Sequence, residues 1–333
     1  MARFSKSTLL CSVLVLSFVC IGGTTAFAQS IPGISQPVTF TMTPPYPQPN
    51  SSVGVTAQSF STDLNRASFS WYVDGKLVRQ GTGIMSITVP VETSDVTVSV
   101  NVDTVDIGTI SNSMTIHPGS VALLWQTDGY TPPFYQGKAL EAYGSTFKVT
   151  AVPDITDSNG VQISPKNLVY TWQENGNTDD AQSGYGKDSF IGKQSSYVSG
   201  KDQVIVDVST VSRSAGAETA ITISPMVPET LLYEDSPLYG ILYNSALPST
   251  LNLSTPEITL RAEPFDLSTS NPLSGLLTYD WTMNGVTVPA FQNKNEITLR
   301  STGATGSESD VGLTIQHKTD VLQGGQASIA IFQ

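Results

Sequence analysis

The chain has two histidines, which are the first residues to consider for acid–base, nucleophilic or zinc chemistry. His117 and His317 lie far apart, and neither has a second histidine nearby in sequence. A Ser-His-Asp triad or a histidine-based zinc site is therefore poorly supported. A carboxylate pair for glycoside cleavage stays open, but the sequence marks out no pair among its 28 acidic residues. We expect no catalytic, cofactor-binding or metal-binding residues, and no enzymatic activity.

Two short patterns resemble ligand-binding loops. Asp154, Asp157 and Asn159 resemble part of a calcium loop, but they lack its alternate-residue spacing and its closing bidentate Glu. The Gly-x-Gly patterns at 81–83 and 184–186 resemble phosphate-binding loops, which need a strand before them and a helix N-terminus after them. Here a predicted hairpin precedes each pattern. The sequence therefore favours ordinary turns at all of these places.

Aromatic residues are dense at the predicted start of two domains, where they could stack on sugar rings. Because large aromatics dominate cores and interfaces, and because the cluster occurs twice, we favour packing of a first strand or between domains. Sugar binding is the alternative. The residues are Trp125, Tyr130, Phe134 and Tyr135 in one cluster, and Tyr233, Tyr239 and Tyr243 in the other.

The elements that must position these residues are organised around a phrase that occurs three times. It reads FSWYVDG at 69–75, YTWQENG at 170–176 and YDWTMNG at 279–285. Alternating apolar residues that run into Asn-Gly or Asp-Gly are a strong hairpin signal, because a type I′ turn needs positive φ at both central residues. The aromatic residue and the tryptophan, two apart, point to the same side of a strand. The phrase predicts three core tryptophans, Trp71, Trp172 and Trp281, and three turns, at Asp74 and Gly75, Asn175 and Gly176, and Asn284 and Gly285.

Other alternating segments recur around each phrase, and none has a convincing helical period. The clearest half-buried strand is the alternation of valines at 96–102. Short strands separated by Gly, Pro, Asn and Asp indicate antiparallel sandwiches. We therefore predict an all-β chain of three tandem antiparallel β-sandwich domains at 29–118, 119–225 and 226–333, which the resemblance below makes Ig-like.

The repeated phrase, set between an early strand and a valine-rich strand, resembles bacterial immunoglobulin-like domains and is similar to PKD-type domains of cell-surface proteins. The resemblance covers all three predicted domains and is specific around the tryptophan. PKD domains typically follow this tryptophan with an aromatic and Gly-Asp-Gly, whereas this chain has other residues there. The resemblance implies an extracellular spacer or adhesive role without catalysis.

The first 28 residues read as a cleaved secretory signal peptide. Arg3 and Lys6 precede an apolar run, and a small-x-small pattern at 26–28 ends just before Gln29. The two cysteines, Cys11 and Cys20, lie inside this segment, so the mature chain has no disulfide. We expect only the signal peptide to contact the membrane.

The mature chain is acidic, with 14 basic and 28 acidic residues left and a net charge of −14. Binding of nucleic acid or anionic lipid needs clustered Lys and Arg, so neither is an expected partner. We expect an exported, non-enzymatic spacer, stalk or adhesin component at the cell surface or outside the cell, whose partner is a cell-surface protein or glycan. The alternative is a module that binds glycan or protein through the loops of a sandwich.

Overall fold

The computed structural model describes residues 38–194, 200–301 and 306–333, so the predicted signal peptide lies outside the described residues. The regular secondary structure of the described chain is β-strand, apart from three short 3-10 turns at Leu64–Arg66, Pro165–Asn167 and Pro289–Phe291. The strands form three consecutive units, each with two sheets around its own apolar core. This confirms the predicted all-β fold of three tandem immunoglobulin-like sandwiches.

In the first unit, a three-stranded sheet in the order β1-β2-β5 packs against a four-stranded sheet in the order β4-β3-β6-β7. The valines of β6 are all buried and alternate with polar residues that point away from the core, so they supply one wall of that core. The strands are β1 Thr39–Thr43, β2 Ser51–Gln58, β3 Ser68–Val73, β4 Lys76–Thr82, β5 Ser86–Val91, β6 Val96–Thr104 and β7 Gly108–Ile116.

The second unit repeats this arrangement, with sheets β13-β9-β8 and β11-β10-β14-β15, and with β12 also paired to β10. A long connection, 128–145, joins its first two strands. The strands are β8 Ser120–Thr127, β9 Thr146–Asp154, β10 Val169–Glu174, β11 Asn177–Thr178, β12 Gly184–Tyr185, β13 Ser189–Lys193, β14 Asp202–Ser209 and β15 Gly216–Ile223.

The third unit has sheets β17-β16-β19-β22 and β18-β24-β23-β20-β21. Among the described strands of this unit, β18 alone has a parallel partner, which is the last strand. The strands are β16 Thr230–Ser236, β17 Gly240–Ile241, β18 Thr250–Asn252, β19 Glu257–Pro264, β20 Leu277–Met283, β21 Val286–Thr287, β22 Glu296–Arg300, β23 Glu308–His317 and β24 Gly324–Phe332.

The three repeated Asp-Gly and Asn-Gly pairs form the tight turns after β3, β10 and β20. All six residues have φ between 48° and 81°, the left-handed region that Gly, Asn and Asp tolerate best. The side chain of the first turn residue also accepts a backbone hydrogen bond from the neighbouring strand, and this explains why Asp or Asn stands there. The pairs are Asp74 with the Thr97 N–H, Asn175 with the Gln203 N–H and Asn284 with the Asp310 N–H.

The three tryptophans of the phrase lie at the centres of the cores and are fully buried. Each indole N–H donates to a backbone carbonyl 13 to 15 residues later, at Ile84, Lys187 and Lys294, over 2.7–2.9 Å. A buried indole needs such an acceptor. In the first two units the segments at 81–83 and 184–186 turn the chain so that this carbonyl faces the ring.

Within the described ranges, no helix is long and apolar enough to cross a membrane.

Candidate functional site

The two histidines occupy structural positions. The Nε2–H of His317 donates to the Ser268 carbonyl over 3.0 Å, and its Nδ1 accepts from the Asp320 N–H over 3.0 Å. Both ring nitrogens are thus engaged by loops of the third unit, one between β19 and β20 and the other between β23 and β24. His117 lies beside Asp95, with 2.9 Å between Nδ1 and Oδ2. The fold does not bring the two rings together.

The calcium-like loop of the second unit is held by its own hydrogen bonds. Asp157 Oδ1 accepts from the Asn159 N–H at 2.8 Å and from the Val161 N–H at 3.0 Å. These bonds hold the pKa of the Asp157 carboxyl below its usual value. The Asp157 side chain therefore serves the turn itself, as Asp does in ordinary loops.

The aromatic residues meet at the junction of the second and third units. Phe134, in the 128–145 connection, stacks on Tyr243 with 4.2 Å between ring centroids and lies edge-on to Tyr233 at 5.7 Å. It also lies edge-on to Phe265 at 6.4 Å. The two sequence clusters are therefore not two copies of one arrangement, because residues from both form a single cluster across the junction. Trp125 stands apart, with Lys138 Nζ 3.3 Å from its ring centroid.

Beside the rings lies a fully buried carboxylate, Glu263 on β19. Tyr130 of the second unit donates to its Oε2 at 3.0 Å, and Tyr243 donates to its Oε1 at 2.9 Å. Arg261 supplies the balancing positive charge, with its Nε 3.1 Å from Oε1. Burial raises the pKa of Tyr243 to about 12, and the hydrogen bond to Glu263 adds to the rise. This network joins the 128–145 connection to the third unit through the Glu263 carboxylate, which is hydrogen-bonded by both tyrosines and paired with Arg261.

Backbone hydrogen bonds tie the same connection to the third unit. Asp266 N–H donates to the Tyr130 carbonyl, and Tyr130 N–H donates to the Leu267 carbonyl, both at 2.8 Å. The side chain of Asp266 accepts from the Leu140 N–H at 2.8 Å. The Met226 N–H donates to the Glu141 carbonyl at 2.8 Å. The junction therefore has strand-like backbone pairing in addition to side-chain packing.

A groove of about 1130 Å³ opens beside this junction. Val227, Val321 and Leu322 contribute exposed apolar surface to it, and Tyr135 and Phe265 contribute aromatic rings. Polar side chains, including Gln316 and Gln326, line the other part. An apolar wall with a few polar groups is the usual character of a ligand site.

Three carboxylates lie on the side of the second unit that faces the junction. Glu141 is in the 128–145 connection, Glu174 ends β10 and Asp202 begins β14. Glu141 and Asp202 are fully buried and Glu174 is half-buried. Burial, followed by like charge on Asp202 and Glu174, raises the pKa of the Glu141 carboxyl to about 7.

Sequence reasoning missed both Glu263 and the three carboxylates. Glu263 and Tyr130 lie 133 residues apart, so no local spacing announces their contact. The one available signal was the aromatic density after β8, which indicated packing between domains but not which rings would meet. The three predicted core tryptophans lie inside the units, whereas the predicted turn residue Asn175 lies beside the carboxylates and donates to Asp202 Oδ1.

The two facing sheets, repeated three times, define a tandem immunoglobulin-like β-sandwich protein. No protein-family model and no curated protein matches the chain. The central fibronectin-III array of RIM-binding protein is 14% identical with a TM-score of 0.30, over 89% of this chain and 96% of that one. The first three domains of the bacteriophage RB49 outer capsid protein Hoc are 11% identical with a TM-score of 0.26, over 89% and 97%. Sidekick-1 immunoglobulin domains 1–4 are 10% identical with a TM-score of 0.19, over 90% and 99%.

Structural similarities this weak do not indicate what the chain does. The structures named are tandem arrays of immunoglobulin or fibronectin-III domains, and the fold class itself rests on the sheets of this chain. The closer resemblance to PKD-type and bacterial cell-surface domains stays a prediction.

Replacing Phe134 with alanine should loosen the junction without unfolding either unit. The ring is half-buried against three other rings, so we expect a loss of about 1–2 kcal/mol, below that of a full core deletion. Limited proteolysis should then cut within 128–145 faster than in the wild type. The matched control is Phe60→Ala, because Phe60 is fully exposed. Equal cleavage of the two variants would contradict this role for Phe134.

Proposed function

We propose that the protein is an exported, non-enzymatic spacer or stalk of the cell surface, in which the second and third units act as one stiff element. The observation that carries the proposal is the junction, where a loop of the second unit is bonded to loops and strand ends of the third. A spacer keeps its two ends a set distance apart only if its units hold a fixed angle. Packed aromatic rings and backbone hydrogen bonds between the units provide such a constraint. Its partner would be a protein or glycan at the cell surface.

The connection to the first unit also lies at unit ends and supports an extended arrangement. The Gly119 N–H donates to the Pro47 carbonyl at 3.4 Å, and Gln48 Nε2 donates to the Glu218 carbonyl at 3.3 Å. Pro47 and Gln48 lie between β1 and β2, and Glu218 lies on β15. Contacts of this kind favour end-to-end units over units packed side by side.

Small-angle scattering of residues 29–333 tests the spacer. Strands of roughly 17–20 Å plus loops make each sandwich about 35 Å long, so three give a rod of about 100 Å with a radius of gyration near 30 Å. A compact globule of this size would have roughly 19 Å. The compact value at low concentration would rule out the spacer.

A second candidate function is binding in the groove at the junction, where Val321 and Leu322 expose apolar surface beside aromatic rings. A glycan array and a peptide library would reveal such a ligand. Leu322→Asp should abolish binding if the groove is the site, because it places a charge on the apolar wall. Binding that survives this change would place the ligand elsewhere.

Export predicts a defined first residue for the mature chain. Cleavage after Ala28 should leave Gln29 at the N-terminus, since 26–28 has the small-x-small pattern. Intact-mass measurement of the secreted protein checks this. Retention of residues 1–28, or a lipid on Cys20, would contradict the assignment.

A further inference from the structure

The three carboxylates at the junction are held close together by the fold. β10 and β14 are neighbours, with Glu174 opposite Val204. The Asn175 side chain donates to Asp202 Oδ1 at 3.0 Å and so fixes one side of that carboxylate. Glu141 is placed by its own backbone, whose carbonyl accepts from the Met226 N–H at 2.8 Å. The cluster therefore lies where the chain passes from the second unit to the third.

Several oxygens of this cluster are buried without a hydrogen-bond partner. Both carboxylate oxygens of Glu141 are in this state, as are Oδ2 of Asp202 and Oε1 of Glu174. The hydroxyl of Ser145, in the same connection as Glu141, is also buried and unpartnered. Buried carboxylates are normally hydrogen-bonded, paired with a cation or bound to a metal, because an uncompensated buried charge is costly. Glu263, with three donors around it, shows how this same junction satisfies a carboxylate when it uses protein groups.

No side chain of the mature chain supplies the missing positive charge. Within the described residues, none of the ion pairs includes Glu141, Glu174 or Asp202. The segments outside the described ranges do not help, because 29–37, 195–199 and 302–305 contain no Lys, Arg or His. A cation from solvent would supply the positive charge that the side chains of this chain do not.

We propose that a calcium ion binds between Glu141 and Asp202, with Glu174 beside it, at the junction of the second and third units. Calcium accepts six to eight oxygen ligands and combines carboxylates with neutral oxygens and water. In the described residues no group of three His, Cys, Asp or Glu side chains could hold a metal ion. The proposed site therefore uses two carboxylates, and its remaining ligands would be neutral oxygens and water. This flexible mixture suits calcium better than magnesium, which demands near-ideal octahedral geometry.

The site deepens the proposed spacer function and rests on it for its purpose. Glu141 belongs to the same connection as Tyr130, Phe134 and Leu140, which contact the third unit. An ion that fixes Glu141 against Asp202 fixes this connection to the body of the second unit. Calcium would therefore stiffen the junction by holding the connection that contacts the third unit against the second unit.

Calorimetry on residues 29–333 tests the site. Titration with calcium chloride should give a saturable heat with a Kd of roughly 10⁻⁴–10⁻³ M, the range of extracellular calcium modules, and magnesium should give a weaker one. Calcium should also raise the melting temperature relative to a chelator. Glu141→Gln with Asp202→Asn should lose the heat and the shift. In chelator, Glu141→Gln alone should melt above the wild type, because it removes one of three like charges, and this order should reverse in calcium.

The matched control is Asp154→Asn, which removes a carboxylate from the calcium-like loop of the same unit and should leave the heat unchanged. Glu174→Gln, at a half-buried position, serves if the double variant does not fold, and should weaken binding several-fold. No heat with the wild type, or heat that persists in the double variant, overturns the site, as does heat lost in Asp154→Asn. Scattering in chelator separates the two proposals, because an extended chain with no calcium heat keeps the spacer and removes the ion.

Discussion

Replacing Trp71 with alanine should cost the first unit about 3–5 kcal/mol of unfolding free energy, the usual cost of deleting a large aromatic core side chain. Trp71 is fully buried, stacks on Phe69 with 6.3 Å between ring centroids and donates its indole N–H to the Ile84 carbonyl. The substitution removes the ring and leaves that carbonyl without its donor. Urea unfolding followed by circular dichroism should show one early transition for the first unit and an unchanged one for the rest.

Leu77→Ala is the control for this prediction. Leu77 is on β4, the strand paired with β3, but is half exposed. Surface substitutions of this kind usually change stability by less than about 0.5 kcal/mol. A loss below about 1 kcal/mol for Trp71→Ala would contradict a core role for the ring. Simultaneous unfolding of all three units would instead show that the first junction couples them strongly.

Glu263→Ala should cost about 3–5 kcal/mol, because it breaks a buried, hydrogen-bonded ion pair and leaves buried donors without their acceptor. The change removes the shared acceptor of Tyr130 and Tyr243 and leaves Arg261 with Glu296 as its ion-pair partner. Because Tyr130 belongs to the second unit, the loss should fall on the junction as well as on the third unit. Calorimetry should show the second and third units melting in separate steps.

The same strand offers a matched control in Glu257. Its Oε2 lies 2.9 Å from Arg300 Nε, but both side chains are exposed. Exposed pairs are worth about 0–1 kcal/mol, so Glu257→Ala should hardly change the melting curve. Equal effects of the two substitutions would mean that burial does not determine how much each ion pair contributes to stability.

Local chemistry predicted much of the fold. Asp-Gly and Asn-Gly pairs occupy left-handed φ values that few other residues tolerate, so the turns could be anticipated from two letters. The alternation of valines along β6 likewise follows from the two-residue period of a strand. These signals work because their causes lie within a few residues.

The junction could not be anticipated because its causes are distant in sequence. Phe134 meets Tyr243 more than a hundred residues later, and Glu263 finds Tyr130 over a similar separation. The parallel strand β18 was not predicted either, because a strand of three residues is too short to show an alternating pattern. Glu141 sits in an irregular connection, where its side chain gives no pattern that distinguishes a buried carboxylate from a solvated one.

Trp125 lies at the edge of the second core, and its fluorescence should therefore differ from that of the other three tryptophans. Three of the four indoles share one kind of surrounding, a dry core with a carbonyl on the N–H. The fourth is half-buried beneath the ammonium group of Lys138, at the base of the connection that reaches the third unit. Its emission is therefore the one sensitive to a nearby charge that moves with that connection. The protein carries an intrinsic fluorescent reporter beside its junction, separable from the other three indoles by aqueous quenchers.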